Sequence, residues 1–380
     1  MSIEIKGHVE RGFEAVADAF AENFETTDEL GAGFALMRDG QTLVDIHAGW
    51  ADRKRSSPWT ADTIVPVFST GKAITALVMA WLVDRGRIDY ATRVSAVWEA
   101  FGANGKDRLT LAEALSHQSG VPGISEEMDP SDWFDRETME RRVASAEPLW
   151  APGDGSGYHP ITFGVIADAI ARRVDEKGRT VGALLKEEIA GPRGLDFMIG
   201  VPESEHRRAA EHMLPPKPPF LGAANPAKAA AFLKPWSSPG RRGTAVWRSA
   251  ELPAANGHGT AGALAALMGP FACQGQLLGE AFVGAETIAQ ALREQTSGQD
   301  RVLPFDLSFA SGVMINRDSG HFGPEPRAVG HYGFGGSCAF ADPVRGVSGS
   351  YVMNRQREVL VGDERAIRLI DAAYRCLDAK

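Results

Sequence analysis

A serine and a lysine three positions apart stand at the head of a strongly apolar segment of the sequence. Ser69 and Lys72 form the pattern S-x-x-K, and the residues after them are almost all apolar as far as Leu82. If this segment is a helix, the two side chains lie about 60° apart around it and can meet. Burial of such a helix would lower the pKa of the lysine, because it disfavours the charged form. Ser69 is therefore a candidate nucleophile with Lys72 as its partner, although a structural serine beside a lysine that reaches solvent is the alternative.

A tyrosine after a glycine-rich segment is the second candidate. Tyr158 follows the sequence GDGSG at residues 153–157, and His159 and Pro160 after it are typical of the start of a helix. The positive end of that helix and a nearby lysine ammonium would favour the phenolate form of the tyrosine. A phenolate could take a proton from a serine, whereas a tyrosine that closes a loop is the alternative.

A glycine-rich stretch near the end of the chain is the third candidate. Residues 331–337 have the sequence HYGFGGS. Glycines within a strand mark a bulge or a close approach of the backbone to another group. Such a strand could turn a backbone N–H toward the carbonyl oxygen of a substrate, and a plain glycine-rich hairpin is the alternative.

The hydrophobic periodicity of the chain predicts the elements that must position these residues. It indicates a helix over residues 9–24, then two strands around Asp39-Gly40, then a long helical region, then short strands and a last helix. We therefore expect an α+β protein, with an antiparallel sheet flanked by N- and C-terminal helices plus a mostly helical domain. The predicted domains are residues 1–66 with 296–380, which form the sheet, and residues 67–295, which are mostly helical.

A proline-rich segment interrupts the helical domain. Residues 214–243 contain seven prolines, so a regular helix or strand is not expected there. A loop of this length in a compact protein is either disordered or a cover over a site. We expect a cover over a cleft between the two domains.

Composition excludes several classes of protein. The 380 residues carry a formal net charge of -9, which argues against nucleic acid as a partner. The three cysteines are far apart and form no zinc-binding spacing, so we expect neither metal nor cofactor. No apolar run is long enough to span a membrane, and the first eleven residues lack an apolar signal core, which leads us to expect a cytoplasmic protein.

The three candidate segments together resemble the motifs of the serine β-lactamase/penicillin-binding-protein superfamily, above all its class-C-lactamase-like esterases (family VIII carboxylesterases). Residues 115–122, with the sequence LSHQSGVP, look like a further element of that family. The resemblance covers nearly the whole chain and implies a β-lactamase/transpeptidase-like fold. It implies that Ser69 is acylated, that Lys72 and Tyr158 are its base pair, and that the backbone N–H groups of Ser69 and Phe334 form the oxyanion hole.

The resemblance also implies which residues contact the substrate. His331 stands at the position of the lysine in the K-T-G motif of lactamases, and Gly333 matches the glycine of that motif. Gln118 and Trp150 are expected to contact substrate as well. His117, by contrast, is expected to close its loop by hydrogen bonding.

Two departures from the family pattern narrow the expected substrate. Pro160 replaces the asparagine of the Y-x-N motif, and His331 replaces a permanently charged lysine. Both changes weaken the case for hydrolysis of β-lactams and leave simple acyl transfer intact. We therefore expect an enzyme that cleaves a small-molecule ester.

Two alternatives stay open. One is a β-lactamase or D-specific peptidase/amidase, and the other is a non-catalytic ligand-binding homologue. An α/β-hydrolase is disfavoured because no G-x-S-x-G pattern occurs in the sequence. Natural substrate and oligomeric state are not predicted.

Overall fold

A computed structural model describes residues 3–317 and 319–379 of the chain. The strands are, in chain order, β1 (Lys6–Val9), β2 (Gly31–Arg38), β3 (Gln41–Gly49), β4 (Val65–Pro66), β5 (Phe197–Met198), β6 (His258–Gly259), β7 (Gln276–Leu277), β8 (Glu280–Ala281), β9 (Thr296–Gln299), β10 (Asp306–Phe309), β11 (Met314–Ile315), β12 (Val329–Tyr332), β13 (Cys338–Asp342) and β14 (Val347–Met353). The α-helices are α1 (Glu14–Thr26), α2 (Gly71–Asp84), α3 (Val94–Val97), α4 (Leu111–Leu115), α5 (Arg136–Ser145), α6 (Thr162–Val174), α7 (Val181–Leu184), α8 (Pro226–Lys228), α9 (Ala245–Ser249), α10 (Ala261–Ala272), α11 (Ala285–Ala291) and α12 (Glu364–Asp378). Short 3-10 and π-helical turns lie at Phe68–Thr70, Glu99–Gly105, Pro130–Phe134, Leu185–Ala190, Gly191–Arg193, Glu203–Arg208 and Ala229–Leu233.

One antiparallel sheet organises the molecule. Among the described residues it contains nine strands, in the order β1-β3-β2-β14-β13-β12-β11-β10-β9. Strand β2, from the start of the chain, pairs with β14, from its end, with Ala32 opposite Met353. The turn between β2 and β3 has positive φ at both Asp39 and Gly40, which is the geometry that a two-residue hairpin prefers. The predicted α+β class and antiparallel sheet are confirmed.

Both faces of the sheet are covered. Phe34 and Leu36 of β2 pack with α1 and α12 on one face, and Ala35 and Met37 belong to the core on the other face. Because both faces are covered, the central strands β2 and β14 are buried at nearly every position rather than at alternate ones. The first and last helices flank the sheet as predicted.

Helix α10 links the sheet to the helical part of the chain. It packs against β2, β13 and β14, and the Ser350 hydroxyl of β14 donates a hydrogen bond to the Ala261 carbonyl over 2.7 Å. This helix lies within residues 67–295, which the sequence assigns to the helical domain. The division into domains stays a prediction.

Two element boundaries differ from the sequence prediction. The helix expected from Val9 begins at Glu14, because Val9 ends β1 and Gly12 turns the chain with a φ of 91°. The hydrophobic periodicity also predicts one strand over residues 307–316, and the structure divides it into β10 and β11, because Gly312 bends the backbone with a φ of 93°. None of the helices in the described part of the chain is long and apolar enough to cross a membrane.

Candidate active site

Ser69 lies at the junction between β4 and helix α2. The chain makes one 3-10 turn over Phe68–Thr70 before α2 begins at Gly71. Phe68 has a φ of 48°, which is rare for a bulky residue and indicates backbone strain next to the serine. The Ser337 hydroxyl, beyond β12, donates to the Val67 carbonyl over 2.8 Å and so ties this turn to the sheet.

Lys72 lies one turn into α2, with its side chain buried. Its Nζ is 3.1 Å from the Ser69 Oγ, 2.8 Å from the Pro160 carbonyl oxygen and 3.0 Å from the Ala254 carbonyl oxygen. Burial lowers the pKa of Lys72 well below its usual value. The structure agrees with the predicted contact between the Ser69 and Lys72 side chains and with the predicted lowering of the lysine pKa.

The contacts of Lys72 decide how a neutral amine would be oriented. A carbonyl oxygen can only accept a hydrogen bond, so the Pro160 and Ala254 carbonyls each take one N–H. In the neutral form no further N–H remains, and the nitrogen lone pair points in the third direction, toward Ser69. The amine is thereby positioned to accept the serine proton.

Tyr158 lies beside the same serine. Its phenol forms a side-chain hydrogen bond with Ser69, and its ring centroid is 4.9 Å from the Lys72 Nζ. The Asp300 carboxylate accepts a hydrogen bond from the Tyr158 backbone N–H over 2.9 Å and so fixes this segment. The two elements that carry Ser69 and Tyr158 therefore meet as predicted.

The surroundings of Tyr158 differ from those that the sequence predicts. Helix α6 begins at Thr162 rather than at Pro160, so the tyrosine does not lie directly before the helix. Burial raises the pKa of Tyr158 above its usual value, the hydrogen bond with Ser69 lowers it, and the Asp300 carboxylate raises it. The raised pKa favours the neutral phenol, and the share of Lys72 and Tyr158 in taking the serine proton stays a prediction.

His117 and His331 pack around the tyrosine. The ring centroid of His117 is 4.9 Å from that of Tyr158, and its Nδ1 accepts a hydrogen bond from the His159 backbone N–H over 3.1 Å. This bond closes the loop as expected. The His331 ring centroid lies 5.9 Å from the Tyr158 ring.

His331 presents an acceptor, and not a cation, to the site. Burial lowers the pKa of His331 to about 3, so the imidazole is neutral. Its Nδ1 is 2.7 Å from the Tyr332 carbonyl, which can only accept, so Nδ1 carries the proton. The Nε2 lone pair has no hydrogen-bond partner among the described residues. A substrate donor could fill that position.

The turn after β12 orients the Phe334 amide. The Gly333 carbonyl accepts a hydrogen bond from the Gly336 N–H over 3.1 Å. Because the peptide is trans, the Phe334 N–H points away from this turn. Within residues 3–317 and 319–379, the N–H groups of Phe334 and Ser69 donate to no protein acceptor. Both donors are thus available to an oxyanion.

Gly333 permits the close approach of this turn to the serine. A Cβ at this position would lie 2.1 Å from the Val67 carbonyl oxygen and 2.2 Å from the Ser337 Oγ. The residue does not line the cavity beside Ser69. In this structure it acts on the site through the packing of the backbone.

A cavity of about 360 Å³ opens beside Ser69. Tyr158, His331 and Phe334 also line it. Much of the remaining wall is apolar and comes from residues 218–239 of the proline-rich segment, which covers the cavity as predicted. A larger cavity of about 620 Å³ lies elsewhere and contains none of these groups.

Two predicted substrate contacts lie outside the Ser69 cavity. The Gln118 amide donates to the Ser116 hydroxyl within its own loop, over 2.8 Å. The Trp150 indole packs against Gly157 and donates to the Gly155 carbonyl over 3.2 Å. Direct contact of these two side chains with substrate, as expected from the sequence, is therefore not supported by the structure. The Trp150 side chain thus supports the segment that leads to Tyr158, whereas the Gln118 side chain holds its own loop.

Sequence reasoning missed three groups that position the site. The Pro160 and Ala254 carbonyls, which hold Lys72, are backbone atoms, so residue type gives no signal for them. Asp300 accepts hydrogen bonds from three backbone N–H groups, those of Tyr158, Val302 and Leu303. A lone aspartate far from the motifs offers no pattern that would reveal this role.

Comparison with known proteins gives consistent matches along the chain. The family model described as Beta-lactamase matches residues 16–373. Esterase/beta-lactamase LipL of Mycobacterium tuberculosis is 35% identical over 377 residues, which covers 95% of this chain and 85% of that protein. Among solved structures, a penicillin-binding protein homologue from Caulobacter crescentus is 49% identical with a TM-score of 0.95, covering 98% of this chain and 100% of that chain. A family VIII carboxylesterase is 38% identical with a TM-score of 0.92, over the same shares of the two chains.

Proposed function

The chain belongs to the beta-lactamase family, and we propose that it is a serine carboxylesterase that forms an acyl-enzyme on Ser69. It is a serine hydrolase of β-lactamase/transpeptidase-like fold. Two of the similar proteins named above are an esterase/beta-lactamase and a family VIII carboxylesterase, which supports the hydrolysis of esters. The substrate we propose is a small carboxylic ester.

One observation carries the mechanism. Lys72 is buried, and the carbonyl oxygens of Pro160 and Ala254 each accept a hydrogen bond from its Nζ. The third hydrogen-bonding direction at this nitrogen points toward the Ser69 hydroxyl. A neutral amine at this position takes the serine proton as the oxygen attacks the ester carbonyl carbon. The lowered pKa of Lys72 keeps a larger fraction of the amine neutral at ordinary pH.

Tyr158 completes the proton transfer. Its neutral phenol, hydrogen-bonded to Ser69, donates a proton to the departing alkoxide and is reprotonated from the Lys72 ammonium. The alcohol leaves, and the acyl group stays on the serine oxygen. Water then attacks the acyl-enzyme, with the same two groups moving its proton, and the carboxylic acid is released.

The backbone N–H groups of Ser69 and Phe334 stabilise the negative oxygen of the tetrahedral intermediate. Neither has a protein acceptor in the described part of the chain, so no bond must break when the oxyanion forms. One such donor contributes about 3–4 kcal/mol to the transition state in a well-studied hydrolase. The Gly333–Gly336 hydrogen bond holds the Phe334 donor in place before substrate arrives.

Ester hydrolysis is favoured over lactam hydrolysis by two features. His331 is neutral and offers a hydrogen-bond acceptor at the position where lactamases carry a charged lysine. Pro160 replaces the asparagine of the Y-x-N motif, and its backbone carbonyl accepts a hydrogen bond from Lys72. A β-lactamase or D-specific amidase is the alternative, since similar proteins include D-aminopeptidase of Brucella anthropi, 25% identical over 43% of this chain and 32% of that protein. Cytoplasmic location stays a prediction.

The test is covalent labelling followed by parallel assays. A fluorophosphonate should add once per chain, with the adduct mapped by mass spectrometry to the peptide that contains Ser69 and lost in Ser69→Ala. An adduct on Ser237 or Ser238, the other serines that line the cavity, would overturn the mechanism. Purified protein should hydrolyse 4-nitrophenyl butyrate faster than a chromogenic cephalosporin and a D-amino-acid amide, and the reverse order would favour the alternative.

A further inference from the structure

The charged residues of the Ser69 cavity are all cationic. Arg242 and Lys234 line the cavity, and no aspartate or glutamate does so among the described residues. Neither cation forms an ion pair within residues 3–317 and 319–379. The whole chain carries a net charge of -9, so the positive sign of the charged residues at this cavity is opposite to that of the molecule.

Arg242 is exposed, and its guanidinium contacts two aromatic rings beside the catalytic residues that we propose. Its guanidinium carbon lies 5.4 Å from the ring centroid of Phe334 and 6.0 Å from that of Phe68. The rings themselves form an edge contact with centroids 5.9 Å apart. Phe68 precedes the nucleophile, and the Phe334 backbone N–H is the proposed oxyanion donor. The aromatic pair therefore orients a cation toward the place where an ester would bind.

The N–H groups of Arg242 donate to no protein acceptor in the part of the chain that the structure describes. A guanidinium with free N–H groups can bind a carboxylate through two parallel hydrogen bonds. Lys234, whose Nζ lies 5.5 Å from the Trp236 ring centroid, adds a second positive charge to the same wall.

We propose that the Ser69 cavity selects esters that carry a carboxylate, and that Arg242 is the residue that binds this group. The inference rests on the proposed esterase function and deepens it by naming a substrate class. The carboxylate belongs either to the acyl part or to the alcohol part of the ester. The rest of the substrate contacts the apolar walls from the proline-rich segment.

The experiment uses two matched ester pairs and measures kcat and KM separately. For the acyl side, mono-4-nitrophenyl adipate is compared with its methyl ester. For the alcohol side, 4-butyryloxybenzoate is compared with its methyl ester. Each pair differs in the anionic charge and one methyl group, so the ratio of kcat/KM within a pair reports recognition of the carboxylate.

Three variants accompany the wild type. Arg242→Gln removes the charge, Arg242→Lys keeps it, and Arg241→Gln is the matched control, because Arg241 is exposed like Arg242 but does not line the cavity. We expect Arg242→Gln to lower the anionic-to-neutral ratio at least tenfold for one of the two pairs, mainly through KM. Arg242→Lys should restore part of the ratio, and Arg241→Gln should leave it unchanged.

The outcomes separate this inference from the function on which it rests. The inference alone is overturned if the wild type hydrolyses the neutral methyl esters and Arg242→Gln leaves the anionic-to-neutral ratio of kcat/KM unchanged in both pairs. Absence of hydrolysis of all four esters by the wild type overturns both the inference and the esterase function. An equal fall in the ratio for Arg241→Gln also overturns the inference, because it would show a general effect of surface charge.

Discussion

The Lys72 Nζ and the Ser69 Oγ lie 3.1 Å apart, and both belong to the first turn and a half of one helical segment. The lysine is fully buried, whereas the serine is partly accessible from the cavity. A base that is shielded from water and a nucleophile that faces substrate are thus one helical turn apart. The roles of this pair and of the groups around it can be tested by substitution and by pH dependence.

Removal of the lysine should abolish most of the activity without loss of the fold. Lys72→Met is expected to lower kcat/KM for an ester by about 10³-fold, within the range for loss of a general base. Lys106→Met is the matched control, because that lysine is also buried and donates to two carbonyls, those of Ala103 and Ala146, but lies outside the cavity. Comparable activity losses in the two variants would contradict the assignment of Lys72 as the base.

The pH dependence of the wild type should show one rising limb. The neutral amine of Lys72 is the active form, so kcat/KM rises as pH passes through the pKa of this lysine, which burial places well below 10.5. The phenol of Tyr158 must keep its proton, and burial raises its pKa above 10.0, so activity should not fall again before pH 10. Rates are measured between pH 5 and 10 with Ser69→Ala as the blank for spontaneous hydrolysis. A falling limb between pH 7 and 10 would contradict this account, because it would show that the active form loses a required proton in that range.

Loss of one hydroxyl should separate chemistry from packing at the tyrosine. Tyr158→Phe keeps the ring contact with His117 and is expected to lower kcat by about 10²–10⁴-fold. Tyr90→Phe is the control, since the buried Tyr90 hydroxyl has no hydrogen-bond partner among the residues that the structure describes and lies outside the cavity. That change should leave kcat intact and not reduce the free energy of unfolding. Near wild-type kcat in Tyr158→Phe would exclude the phenol from proton transfer.

One added methyl group should disrupt the contact between the sheet and the serine turn. In Gly333→Ala the new Cβ would meet the Val67 carbonyl at 2.1 Å, so the turn must move. We expect the free energy of unfolding to fall by more than about 2 kcal/mol and kcat to fall as Phe334 is displaced. Gly269→Ala in α10, whose nearest contact is 3.6 Å away, should be neutral or stabilising by up to about 1 kcal/mol. Denaturant titration and kcat for both variants check this, and equal stabilities would contradict it.

A buried arginine behind the oxyanion turn should control stability. Arg365 donates to the Glu29 and Asp363 carboxylates at 3.1 and 2.9 Å and to the Gly335 carbonyl at 3.0 Å, and its side chain is fully buried. Arg365→Met leaves two buried carboxylates unpaired and should cost about 3–5 kcal/mol in free energy of unfolding. Arg368→Met, at a partly exposed arginine of the same helix, should cost about 1 kcal/mol or less.

The cost of Arg365→Met should depend on pH in a defined direction. Burial raises the pKa of Glu29 above 4.5, while Arg365 lowers it, so the variant raises this pKa further. At pH values between the pKa of Glu29 in the unfolded protein and its higher pKa in the folded protein, the folded protein binds one more proton than the unfolded protein. The free energy of unfolding therefore falls as the pH rises through that range. The difference between variant and wild type should therefore be larger at pH 8 than at pH 5. A larger difference at pH 5 would contradict this account of the cluster.

The motif spacing in the sequence determined much of this site by itself. Ser69 and Lys72 meet because a helix brings residues three apart onto neighbouring positions, and this geometry is local. The hairpin at Asp39-Gly40 was equally predictable, because the turn residues themselves select the backbone angles. The resemblance to the family then predicted the fold, since four ordered segments carry it together.

Other features of the site were decided only by the tertiary structure. They depend on groups that are distant in the chain, or on backbone atoms that any residue type could supply. The orientation of Lys72 depends on two backbone carbonyls, at Pro160 and Ala254, and any residue type could have supplied them. The pKa of Tyr158 depends on burial, which raises it and which a sequence pattern does not measure. Spacing in the sequence determines which residues are neighbours along a helix. The solvation of Tyr158 and the direction of the Lys72 lone pair depend instead on all the groups that pack around them.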